Sequence, residues 1–154
     1  MLVSCNQKEE IKKVTPESNK TIVAKKVSKI EIQSFYDLPT EIDGAGCYFS
    51  VSKKDFEKER YIFVSNYDSI CFIKKYGHFI KLRLFENKTD NPSVEHYIEK
   101  YKNDEFELTV DFKDAKVKTN NELEDEPSIF EGTLSVKQAK YPVEKIDLYG
   151  YCGC

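Results

Sequence analysis

The sequence predicts a small antiparallel β-barrel, all-β apart from one short helix, and three observations carry that expectation. Short runs of alternating apolar and polar residues recur after residue 29, turn residues separate them at close spacing, and 10 Phe with 10 Tyr supply large apolar side chains for a core. A length of 154 residues suits one such core and would cramp two. Residues 1–29 read as a flexible hydrophilic tether and 30–154 as a single β-rich domain.

Taken in order, Ile30 to Phe35 is a short alternating run, followed by a loop with Pro39 and Gly44-Ala45-Gly46. Cys47 to Ser52 alternates with Cys47, Phe49 and Val51 on one face, and the charged stretch Lys53 to Arg60 turns the chain. Tyr61 to Tyr67 and Ile70 to Lys74 are apolar on both parities, which predicts strands covered on both faces. Gly77 offers the positive φ of a hairpin turn leading into Phe79 to Phe85, with Ile80, Leu82 and Leu84 inward. The helix is expected from Asn91: Asn91 as cap, Pro92 in the first turn, and Val94, Tyr97, Ile98 and Tyr101 at i, i+3, i+4 and i+7. Phe106 to Phe112 alternates cleanly, the acidic loop Asn120 to Ser128 follows, and Ile129 to Lys137 and Lys145 to Tyr151 complete six or seven strands. Closure removes exposed sheet edges, so an OB-like barrel or lipocalin-like meander is favoured, with an open sandwich as the remaining alternative.

Charge narrows the partners. Residues 1–29 carry seven Lys against three Glu, so of the formal net charge of −3 the tether holds +4 and the remainder −7. An acidic folded part argues against nucleic acid, whose phosphates need clustered cations. No stretch approaches the ~18 consecutive apolar residues of a membrane-spanning helix.

Four cysteines fall in the domain. Parity turns Cys47 and Cys152 toward the core, so Cys47–Cys152 is the expected disulfide, with Cys47–Cys154 competing; Cys71, amid Ile70, Phe72 and Ile73, reads as a buried free thiol. A thiolate metal site from Cys152 and Cys154 with Cys47 or His78 is the sharper alternative, although Cys-x-Cys departs from the common zinc spacing. The acidic run Glu122 to Glu126 lacks the order of a calcium-binding hand. No cofactor is expected.

Catalytic machinery is missing from the pattern. His78 and His96 are the two histidines, one in a turn and one on the outer face of the expected helix, and neither has a recognisable nucleophile or metal-ligand partner. No phosphate-binding loop, dinucleotide fingerprint or zinc-protease motif occurs. The expectation is that the protein is not an enzyme. Tyr48, Tyr61, Phe63, Tyr149 and Tyr151 are expected outward, either as an aromatic surface for protein or glycan or as a face covered by the helix and the first strand.

Leu2-Val3-Ser4-Cys5 resembles the lipobox of Gram-negative bacterial lipoproteins, whose cysteine is lipidated, and the Lys, Ser, Thr and Glu-rich run after it resembles their stalk. Only Met1 precedes the box, where a signal would have a basic and apolar leader, so a trimmed or internal start is expected. The resemblance implies lipidation at Cys5, anchorage to the outer membrane and exposure to the periplasm or cell surface. Together these readings give a non-catalytic envelope binding or scaffold module. In outline, a small disulfide-closed barrel on a lipid anchor also resembles the periplasmic lysozyme inhibitors; metal binding through the terminal cysteines is the third reading.

Overall fold

In a computed structural model, the described residues are 29–66, 69–91, 95–115 and 128–153. Among these residues eight strands run β1 (Gly46–Ser50), β2 (Phe63–Asn66), β3 (Ile70–Lys75), β4 (His78–Asn91), β5 (His96–Lys102), β6 (Phe106–Asp114), β7 (Ile129–Gln138) and β8 (Glu144–Gly153), with one helix, α1 (Lys53–Glu57), after β1. Each strand pairs antiparallel with the next, and β8 closes on β1, so the molecule is an up-and-down closed barrel. A lipocalin-like meander is therefore the architecture, and neither the OB-like alternative nor the open sandwich applies.

The register sets the width. A path from Ile129 through Tyr151, Tyr48, Val64 and Phe72 reaches Lys81. Resumed two residues on at Arg83, it passes Lys102 and Glu107 and re-enters β7 at Lys137. That is a shear of roughly ten residues, and eight strands so arranged enclose packed side chains or one small ligand.

Alternation fills the interior. Phe49, Phe63, Cys71, Ile73, Leu82, Leu108, Val110, Leu134 and Leu148 form one buried cluster inside the barrel. Phe49 lies opposite Gly150, where a Cβ would stand 1.9 Å from the Tyr48 carbonyl, so only glycine admits this approach of β8 to β1. Tyr76 and Gly77 both take positive φ, 51° and 76°, which is the two-residue hairpin turn expected between β3 and β4.

A second cluster lies outside the barrel wall. Residues 29–45 pass the end where β3 meets β4, pairing Gln33 with Lys74 and Phe35 with Tyr61, and then lay Phe35 and Ile42 over Tyr48, Val64, Ile70 and Phe72. This explains why β2 and β3 are apolar on both parities. The run Ile30 to Phe35 makes these isolated pairings rather than a strand, and Ile30 is fully buried against the inner cluster.

The expected helix from Asn91 to Tyr101 is corrected. Asn91 ends β4, and His96 to Lys102 is β5, paired along its length to β4 and β6. The helix forms instead at Lys53–Glu57, within the stretch expected only to turn the chain. Ser52 caps it, accepting from the Asp55 N–H at 3.2 Å while its hydroxyl donates to the Asp55 carboxylate at 2.8 Å.

Candidate functional site

One end of the barrel is sealed by its own side chains. Lys75 points inward at the end of β3 and is buried, with its Nζ donating to Gln138 Oε1 at 2.9 Å. The rings of Tyr76, Tyr141 and Phe106 surround the ammonium at 4.9, 5.0 and 5.6 Å. The amide acceptor and the ring faces together replace the water that burial takes from this group.

The opposite end, where β1 begins, holds a cavity of about 370 Å³. Its apolar wall is an aromatic triad: Tyr97 stacks on Phe112 at 5.3 Å and 27°, and Phe130 stands edge-on to Phe112 at 5.4 Å and 88°. Polar groups come from Ser65 and Asn66 on β2, Asn87 and Thr89 on β4, and Glu99 on β5. The Cys47–Cys152 disulfide forms part of the wall between β1 and β8.

A register shift between Leu84 and Glu86 brings the β4 residues into the cavity. Below it Leu82 and Leu84 face inward; the added residue reverses parity, so Phe85 is 43% exposed while Asn87 and Thr89 line the cavity. Glu99 is partly buried. Tyr101 Oη donates to Glu99 Oε2 at 2.6 Å, and Oε1 makes no hydrogen bond among the described residues. Burial raises the Glu99 carboxyl above the ordinary range, and the Tyr101 hydrogen bond opposes that rise. Burial and then the Glu99 charge push the Tyr101 phenol up, and burial pushes the Cys71 thiol well up. A phenol so raised stays protonated and acts as a donor, which leaves Glu99 the acceptor of that pair.

Neither family models, nor curated proteins, nor solved structures match the chain.

The residues singled out in the sequence separate. Cys47 and Cys152 are in-register partners joined as the disulfide, and Cys71 is a buried free thiol. With both sulfurs bonded to each other, Cys47 and Cys152 are not thiolate ligands. His78 starts β4 at the sealed end, across the barrel from them, so the metal set built on these residues is corrected; no group of three metal-ligating side chains occurs among the described residues. Cys5, Cys154 and the acidic run Glu122 to Glu126 lie outside the described residues. His96 sits on the outer wall of β5, 2.6 Å from Asp111, rather than on a helix.

Phe63 is also corrected: it is fully buried inside the barrel, packed on Phe49 and Tyr101. Tyr48 faces out but is buried under residues 29–45 and donates to the Gly44 carbonyl at 2.7 Å. Tyr61, Tyr149 and Tyr151 are half-buried beneath α1, where Phe56 meets their rings at 6.3, 5.7 and 5.9 Å. Sequence reasoning missed Glu99 and Tyr97 because both were assigned to a helix. Alternation of Tyr97, Glu99 and Tyr101 is the signal that could have found them.

Proposed function

We propose that the protein is a non-catalytic binding module of the bacterial cell envelope, anchored through lipid on Cys5, which takes a small ligand in the barrel cavity. The observation that supports the binding role is an aromatic-walled cavity with a partly buried carboxylate, at one end of a barrel whose other end is sealed. Pockets that bind small molecules have this make-up: mainly apolar walls with a few placed polar groups. Among the described lining residues no nucleophile–base pair occurs, and with the raised phenol of Tyr101 this favours holding a ligand over transforming it. The envelope assignment is supported by Leu2-Val3-Ser4-Cys5 and the hydrophilic stretch after it.

Titrating isotope-labelled protein with a library of small amphiphilic fragments tests the binding role. Resonance shifts should concentrate at Asn87, Tyr97, Glu99, Phe112 and Phe130, and a library that moves none of them would reject it. Palmitate labelling of the natural precursor tests the anchor, and label absent from Cys5 would remove it.

A further inference from the structure

A carboxylate inside a barrel normally has a cation beside it, because an unpaired charge away from water is costly. Elsewhere in this protein that rule is visible. Glu86 on the outer wall meets Lys88 at 2.7 Å and Lys100 at 3.0 Å, and the buried Lys75 has its amide and three rings. Glu99 differs. Among the described residues no lysine, arginine or histidine approaches it, and its one partner is the Tyr101 hydroxyl. Oε1 is left as an acceptor in a cavity lined by the rings of Tyr97, Phe112 and Phe130.

An acceptor carboxylate flanked by aromatic faces is the arrangement that recognises an ammonium group. The carboxylate takes a charge-assisted hydrogen bond, and the negative ring faces attract the cation and the apolar atoms next to it. Among the described residues the lining offers no positive side chain to an anionic ligand, which Glu99 would repel. We propose that the cavity binds a small primary amine in its protonated form, with the ammonium on Glu99 and an apolar or aromatic body against the Tyr97, Phe112 and Phe130 rings. Asn87 and Thr89, exposed at the rim, meet polar groups at the far end of such a ligand. A volume of about 370 Å³ has room for a body of one aromatic ring with a short chain.

This inference rests on the binding role proposed above and is tested separately from it. Calorimetric and NMR titrations of the full chain at neutral pH compare 2-phenylethylamine with 2-phenylethanol and 3-phenylpropionate, which carry the same ring with a neutral or negative head. The amine should bind in the cavity at least tenfold more tightly than either. Glu99→Gln, with folding verified by near-ultraviolet circular dichroism, should weaken the amine at least tenfold and abolish its advantage over the alcohol. Equal or tighter binding of the alcohol or the acid overturns the ammonium assignment, as does an amine affinity unchanged by Glu99→Gln. If no member of the series enters while other fragments do, the amine proposal falls and the binding role stands. If nothing enters, both fall.

Discussion

Reducing the Cys47–Cys152 bridge in a Cys5→Ser, Cys154→Ser background removes a cross-link between residues 105 positions apart. In the chain-entropy treatment a loop of about 100 residues is worth roughly 4.7 kcal/mol, and native strain with residual structure in the unfolded chain usually lowers the yield to about 2–4 kcal/mol. The folded state should change little. Cys47 and Cys152 face each other in register, the five β1–β8 pairs persist without the bond, and the free thiols remain apolar. The loss therefore falls on the unfolded chain, and about 3–4 kcal/mol is expected. In urea, with m near 2 kcal/mol/M, the midpoint should drop by about 1.5–2 M. The slope m itself should rise on reduction, because an uncrosslinked unfolded chain exposes more surface. A loss under about 1 kcal/mol with m unchanged would refute loop closure as the role of this disulfide.

The remaining predictions concern the two ends and the wall of the barrel. Lys75→Met keeps the stem packing inside the cage and should alter stability by less than about 1.5 kcal/mol, whereas Lys75→Ala should cost about 2–4 kcal/mol; equal effects in chemical denaturation would show that packing does not govern this end. Glu99 has a folded carboxyl pKa above its unfolded value of 4.5, so the folded state binds the proton more tightly. Its destabilisation is absent below pH 4.5 and grows as pH rises through the folded value; Glu99→Gln should flatten that fall, and an identical pH–stability profile would contradict it. Gly150→Ala should cost more than about 2 kcal/mol, because the new methyl meets the Tyr48 carbonyl and Phe49; an unchanged thermal midpoint would count against the register. The buried Ser50 hydroxyl has no hydrogen-bond partner among the described residues, so Ser50→Ala should raise stability by up to about 1 kcal/mol, and a clear loss would point to a hidden partner.

Much of this fold was legible wherever one strand face is wholly apolar. Phe106, Leu108, Val110 and Phe112 alternate without exception and form β6 as expected; Ile146, Leu148, Gly150 and Cys152 predicted both the last strand and the disulfide. Residues 96–102 were misread for a reason tied to the site. An acid at an inward position interrupts the period-two pattern between Tyr97 and Tyr101, and the surviving apolar residues fall at helical spacing. The local rule thus failed where the barrel carries an inward carboxyl group. Phe63 was misplaced because β2 is apolar on both sides, and one sequence does not say which side faces the barrel axis. The short helix had a local signal, Ser52 three residues before Asp55, outweighed by its run of charges.

The irregularity between Leu84 and Glu86 gives β4 two reading frames. From Ile80 to Leu84 even-numbered residues belong to the core, and past the shift odd-numbered ones belong to the cavity. Substitutions at Asn87 and Thr89 can therefore change the polarity of the cavity without changing a residue of the apolar frame that holds the barrel shut. Deleting Phe85 would remove the irregularity and leave the lining in place: Asn87 would still pair with Glu99 and Thr89 with Tyr97, while Glu86 and Lys88 would stay on the outer wall. A single backbone insertion thus makes the polar lining of one end separable from the stability of the rest.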